Sequence, residues 1–85
     1  MRNVEQIEYE LTQLKGKEVS LIIPLGGTIS LSTFGELYVV EVEHRVGFHI
    51  PSISYAIIFF AEDVDRLETP SSQRFTKTIR LLKRA

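Results

Sequence analysis

The chain of 85 residues contains no cysteine, so neither a disulfide nor a cysteine-ligated zinc ion supplements its core. It also has no apolar run long enough for a membrane-spanning helix, which needs roughly 20 residues, because its most apolar stretch covers only residues 53–61. Acidic side chains within the first eight residues interrupt the apolar segment that a secretory signal requires. We therefore expect a single cytoplasmic domain without a membrane span.

Motifs for catalysis and cofactor binding are also missing. Residues 26–28 supply two glycines but not the lysine or the spacing of a phosphate-binding loop. The acidic residues at 62–65 are not part of a glycine-containing calcium loop. His44 and His49 are five residues apart, which places them on opposite faces of a strand. The sequence thus predicts no enzyme activity, no metal site and no cofactor.

The apolar stretch at residues 53–61 is rich in aromatic and β-branched side chains and predicts a central strand. From Tyr55 onward it is apolar at both odd and even positions, whereas a strand that is covered on one face alternates. Its second face must therefore be covered by another layer of the same domain, by a terminal helix or by a second chain. If the cover is a second chain, the expected interface residues are Ile53, Tyr55, Ile58 and Phe60.

An amphipathic helix is predicted at residues 4–15. Apolar residues recur there at steps of three and four positions, which places them on one stripe. Asn3 is a suitable N-cap, and Gly16 is a suitable residue to end the helix. We expect this helix to lie on the β-structure as a lid.

Short strands joined by tight turns are predicted for the rest of residues 1–68. Alternation of apolar and polar residues places strands at 17–23, 28–32, 37–43, 46–50 and 53–61, followed by a helical turn and a brief strand at 66–68. Gly35 is a candidate for a bulge or tight bend. Five or so short strands, the last of them brief, indicate a mainly β fold class: a small five-stranded barrel behind an N-terminal helix, with another small α+β arrangement as the alternative.

The C-terminal segment, residues 69–85, differs from the body in charge. Residues 1–68 hold all eleven acidic residues and five of the ten basic ones, whereas the tail holds five basic residues and no acid. Phe75, Ile79 and Leu82 fall on one helical stripe, so we expect a basic amphipathic helix packed on the acidic body. A frayed tail and a docking site for nucleic acid or a membrane surface are the alternatives. The candidate phosphate contacts are Arg74, Lys77, Arg80, Lys83 and Arg84.

The layout resembles the Sm-like small barrels, a resemblance carried by a helix exit into a first strand at 16–22 and by the stretch 34–40. In Sm proteins the second stretch contains an Asp and an Asn that help to form the RNA pocket; here Gly35 and Val39 stand in those places. The loop at 62–65 is acidic where the family carries basic residues, and acidic side chains repel phosphate. The resemblance implies an SH3-like barrel and a tendency to form rings or dimers by edge pairing, without the RNA-binding residues.

These observations predict a non-enzymatic interaction protein that self-associates, or docks on a partner protein, through its strand edges and the second face of the 53–61 strand. An alternative is a nucleic-acid-binding accessory protein that uses the basic tail. A third class, a barrel that binds a small molecule, stays open because the sequence does not specify a pocket.

Overall fold

The computed structural model describes residues 2–51 and 56–83. These residues form one α-helix, one 3-10 turn and seven strands. In chain order the elements are α1 (Val4–Gln13), β1 (Glu18–Gly26), β2 (Ile29–Glu36), β3 (Tyr38–Val42), β4 (Arg45–Pro51), β5 (Ala56–Phe59), the 3-10 turn Ala61–Asp63, β6 (Val64–Glu68) and β7 (Lys77–Leu81). The mainly β class with an N-terminal helix is therefore confirmed.

The strands form two sheets. Sheet A has the order β2-β1-β7-β6, and sheet B has the order β3-β4-β5. Over the described ranges these sheets do not close into a barrel, so the expectation of a closed five-stranded barrel is wrong in both strand number and closure. One apolar cluster fills the space between the inner faces of the sheets and extends beneath α1. The fully buried members of this cluster are Leu11, Val19, Leu21, Leu37, Phe48, Ile50, Val64 and Ile79.

Helix α1 begins at the predicted residue but ends at Gln13, two residues before the predicted boundary at residue 15. The Asn3 side chain accepts a hydrogen bond from the Gln6 amide at 3.0 Å, as expected of an N-cap. The helix ends at Gln13, and Gly16 leaves the turn with a φ of +80°, a conformation that favours glycine. Leu11, on the predicted apolar stripe, is fully buried.

A single residue, Leu37, carries the chain from sheet A to sheet B. Its side chain is fully buried; its amide donates to the Lys17 carbonyl at 3.0 Å, and its carbonyl accepts from the Gly16 amide at 2.8 Å. Nearby, Gly35 lies within β2 and not in a bulge. A Cβ at Gly35 would lie 3.1 Å from Cγ2 of Ile50, so this glycine permits β2 to approach β4 closely.

The C-terminal segment contributes a strand where we expected a helix. Strand β7 runs parallel to β1, with Ile79 beside Leu21, and antiparallel to β6. Ile79 is fully buried, while Thr78 and Arg80 alternate with it on the other face. Tertiary pairing thus overrode the three-residue helical stripe, and the prediction of a basic helix is wrong. The charge pattern divides the chain after residue 68 into a body and a basic tail. Strand β7 belongs to the tail, yet it is hydrogen-bonded to β1 and β6 of the body.

Strand β5 lies at the edge of sheet B, paired with β4, and not at a sheet centre as predicted. Its two faces differ sharply: Phe59 is 2% exposed, whereas Ile58 is 55% exposed. The alternative in which a layer of the same domain covers the second face is therefore wrong at Ile58. Of the other proposed interface residues, Ile53 and Tyr55 lie outside the described residues.

Candidate interaction surfaces

The outer face of sheet B carries a row of three large side chains, one from each strand. The register places Tyr38 of β3 opposite His49 of β4, and His49 opposite Ile58 of β5. Tyr38 is 42% exposed, and Ile58 is more than half exposed. Neighbouring residues on one sheet face contact each other, so the row forms a continuous, mainly apolar strip across the whole sheet.

His49, in the middle of this strip, has an unsatisfied polar atom. Its Nδ1 is buried and has no hydrogen-bond partner among the described residues. The imidazole centroid lies 6.1 Å from that of the Tyr38 ring, at an interplanar angle of 44°. An unpaired buried polar atom is unusual and costs free energy.

Phe60 continues the outer face of sheet B at one end. The Arg45 guanidinium lies 3.9 Å from the Phe60 ring centroid and forms an ion pair with Glu62. A Cβ at Gly47 would lie 3.4 Å from the Phe60 ring, so this ring packs directly on the β4 backbone. Of the two described residues of the predicted interface, Ile58 is thus exposed and Phe60 is half-buried beneath Arg45.

The strand edges differ in how they are protected against pairing with another chain. Charged side chains line β6, and Arg2 donates hydrogen bonds to the carbonyls of Glu62 and Val64 at 2.9 and 2.8 Å. Strand β5 has no charged residue in Ala56–Phe59, and β2 has only Glu36 at its end. Charged residues on an edge discourage strand addition, so β5 and β2 are the more available edges.

The outer face of sheet A is polar and makes its own contacts. The hydroxyls of Ser20 and Thr78 are 2.7 Å apart across the β1–β7 pair. Glu68 accepts hydrogen bonds from Arg80 at 3.1 and 3.3 Å and from Arg66 at 2.6 Å. These bonds, that from Arg80 first, lower the pKa of the Glu68 carboxyl below its ordinary value.

A cavity of about 390 Å³ lies on this outer face of sheet A. Phe34 of β2 and Phe75 of the β6–β7 connection meet beside it with ring centroids 5.6 Å apart. The Arg74 guanidinium lies 4.4 Å from the Phe34 centroid and 5.4 Å from that of Phe75. The residues that line the cavity are Ser20, Ile22, Ser32, Thr33, Phe34, Ser71, Phe75 and Thr78. No local pattern in the sequence predicts this cluster, because Phe34 and Phe75 are far apart along the chain.

A second cavity, of about 450 Å³, lies at the end of sheet A near the β1–β2 hairpin. Its lining is mainly aliphatic and comes from the ends of β1 and β7, with Asp63 and Lys83 at the margin. The exposed side chains of Leu25 and Leu82 belong to this groove.

The basic residues of the C-terminal segment do not converge on one surface. Arg74 lies beside the outer face of sheet A, and Arg80 is bound by Glu68. Lys77 shares the face of Ile79 because alternate residues of a strand point to the same side. Lys83 follows the end of β7 and is exposed, and Arg84 lies outside the described residues.

The described residues include no group of three or more His, Cys, Asp or Glu side chains that could hold a metal ion. Over the same two ranges, no helix combines the length and the apolarity that crossing a membrane requires. Compared with protein-family models, with curated proteins and with solved structures, the chain has no significant match. The resemblance to Sm-like barrels stays a prediction.

Proposed function

We propose that this protein is a non-enzymatic interaction module that self-associates through sheet B, using its apolar outer face and the open edge of β5. The observation that carries the proposal is the exposed strip of Tyr38, His49 and Ile58, which reaches an edge strand without a charged residue. This surface includes Ile58, which belongs to the apolar stretch 53–61 whose second face was expected to be covered.

Two physical terms favour association at this surface. Removing apolar area from water contributes about 25 cal/mol per Å², and Ile58 and Tyr38 both keep much of their side chains in water. Strand addition at β5 would also pair backbone groups that have no partner strand among the described residues.

A nucleic-acid-binding role for the basic C-terminal residues has weaker support. Binding a phosphate chain needs several cations along one track. Here Arg80 is neutralised by Glu68, and Lys77 and Arg74 lie on different sides of sheet A.

The substitution Ile58→Asp tests self-association directly. A buried carboxylate at an apolar interface is strongly unfavourable, so the variant should elute as the 9.7 kDa single chain while the wild type has a multiple of that mass. The measurement is absolute mass by light scattering coupled to size exclusion. Circular dichroism confirms that the variant stays folded, as expected for a side chain that is already exposed.

Ile29→Asp is the matched control, because Ile29 is an exposed isoleucine on the edge strand of the other sheet. It should keep the wild-type mass. A wild-type protein that is monomeric at all accessible concentrations, or a multimer that persists in the Ile58 variant, would refute the proposal. Loss of association in the Ile29 variant alone would assign the interface to β2 instead.

A further inference from the structure

We propose that the cavity on the outer face of sheet A binds a small ligand that combines a flat aromatic ring with one anionic group. This inference does not depend on self-association, because it concerns the other sheet and a different set of residues. It assigns a role to the cluster of Phe34, Phe75 and Arg74 that the interaction surface of sheet B does not use.

The aromatic part of the ligand is inferred from the walls of the cavity. Phe34 keeps 48% of its surface exposed although both Phe75 and Arg74 lie against it. The side chain of Ile22 adds an aliphatic surface at the same opening. Exposed aromatic rings of this kind bind flat ring systems by stacking, which tolerates many ring structures.

The anionic group is inferred from Arg74. No carboxylate among the described residues forms an ion pair with its guanidinium, whereas Arg66 and Arg80 both bind Glu68. The Arg74 amide donates to Oγ of Ser72 at 3.2 Å, which fixes the turn that carries the side chain. A planar guanidinium held beside two rings offers paired donors to a carboxylate or a phosphate.

The floor of the cavity is polar, and its hydroxyl groups can form hydrogen bonds with the ligand. Ser20 and Thr78 share one hydrogen bond at 2.7 Å, which leaves lone pairs and one hydroxyl proton for a ligand. The Thr76 amide donates to the Glu18 carbonyl at 2.8 Å and holds the connection against β1. The floor and the walls are therefore positioned by backbone hydrogen bonds of sheet A and its connection.

The size of the cavity favours a single small molecule over a polymer. A volume of about 390 Å³ lies at the lower end of the range of roughly 300–1,000 Å³ for small-molecule sites. Among the described residues, Arg74 is the one cation that lies against the rings of the cavity wall without an ion pair, which matches one anionic group and not a chain of phosphates. A nucleoside monophosphate and an aromatic carboxylate both have this chemistry.

Titration of the full-length protein with four probes tests the inference, with amide chemical shifts in NMR as the readout. Adenosine monophosphate and 2-naphthoate each carry a ring and an anion, adenosine carries only the ring, and inorganic phosphate carries only the anion. At least one of the first two should bind about tenfold more tightly than adenosine and phosphate, since each lone fragment forfeits a charge-assisted or stacking contact. Binding of the nucleotide alone identifies a phosphate ligand, and binding of naphthoate alone identifies a carboxylate ligand.

Two substitutions that each remove one positive charge test whether the ligand binds beside Arg74. Arg74→Gln should weaken binding of the ring-bearing anion about tenfold, the loss expected for one charge-assisted pair, while Lys83→Gln should leave it unchanged. Phe34→Trp keeps a stacking surface and introduces a tryptophan into a chain that has none, so its fluorescence should be quenched by the ligand. Absence of saturable binding by both ring-bearing anions, or equal effects of the Arg74 and Lys83 substitutions, would overturn the proposal.

Discussion

The two sheets are alike on their inner faces and opposite on their outer faces. Leu21 and Ile79 of sheet A are fully buried, as are Phe48 and Ile50 of sheet B. The outer face of sheet A pairs its own polar groups, as Ser20 does with Thr78, whereas the outer face of sheet B is mainly apolar and exposes Tyr38 and Ile58. The inner faces hold the fold together, and the difference between the outer faces is the basis of the two proposed modes of binding.

We therefore propose a different kind of partner for each of the two outer faces. A polar face with a cavity suits a small charged ligand, because its hydroxyls and guanidinium are already positioned. An apolar strip at a sheet edge suits a large partner that removes it from water. Each of the following predictions tests one part of this contrast.

The largest effect on stability is expected from substitutions at two neighbouring residues of β5 whose side chains lie on opposite faces. Phe59→Ala should lower the free energy of unfolding by about 3–5 kcal/mol, because it leaves a cavity in the core. Ile58→Ala, measured at concentrations where the protein is monomeric, should change it by less than about 1 kcal/mol, as is usual for an exposed side chain. Urea denaturation gives both values, and equal losses would mean that sheet B is buried on both faces.

An intermediate change in stability is expected from substitutions in the hairpin turns of the two sheets. The β1–β2 turn places Gly27 at a φ of +55°, but the β3–β4 turn places Glu43 and His44 at +50° and +66°. Side chains disfavour this region, so replacing Glu43-His44 with Asn-Gly should stabilise the protein by about 1 kcal/mol. Gly27→Ala should destabilise it by a similar amount, about 1 kcal/mol. Thermal unfolding measures both, and a stabilising Gly27→Ala would contradict the reasoning.

The smallest change in stability is expected from substitution of Glu68 on the outer face of sheet A. Hydrogen bonds from Arg80 and Arg66 lower its pKa in the folded state, so the stabilisation is present above the unfolded pKa and is lost as pH falls through the folded value. Because the site is partly exposed, Glu68→Gln should cost less than about 1 kcal/mol at pH 7. Urea denaturation at pH 7 and in acid should show the wild type and the variant converging on acidification; a difference that grows in acid would contradict the assignment.

The sequence predicted elements whose signals are local. Asn3 caps the start of the first helix, and Gly16 lies in the turn that follows the end of the helix at Gln13. The alternation through Val19 and Leu21 likewise placed β1 with the correct face inward. The short helical turn at Ala61–Asp63 was also anticipated, and Asp63 accepts a hydrogen bond from the Phe60 amide at 2.9 Å.

The sequence did not predict what depends on distant partners. Residues 77–81 alternate as expected of a strand, but Phe75, Ile79 and Leu82 also fall on one helical stripe. The pairing that decides in favour of a strand is with β1, which is far away in the sequence. The cluster of Phe34 and Arg74 forms only because the β6–β7 connection returns across sheet A. The second face of the 53–61 stretch is exposed at Ile58, and its apolar pattern does not specify which molecule would cover it.

The position of β7 between β1 and β6 has a consequence for the order of folding. The β1–β2 hairpin forms from neighbouring residues, but β6 is joined to it only through β7, by a parallel pairing that spans most of the chain. Long-range parallel pairing is slow, so a partly folded chain would expose the edges of β1 and β6 at the same time. Refolding should therefore lose yield as protein concentration rises, since intermolecular strand pairing at those two edges competes with the arrival of β7.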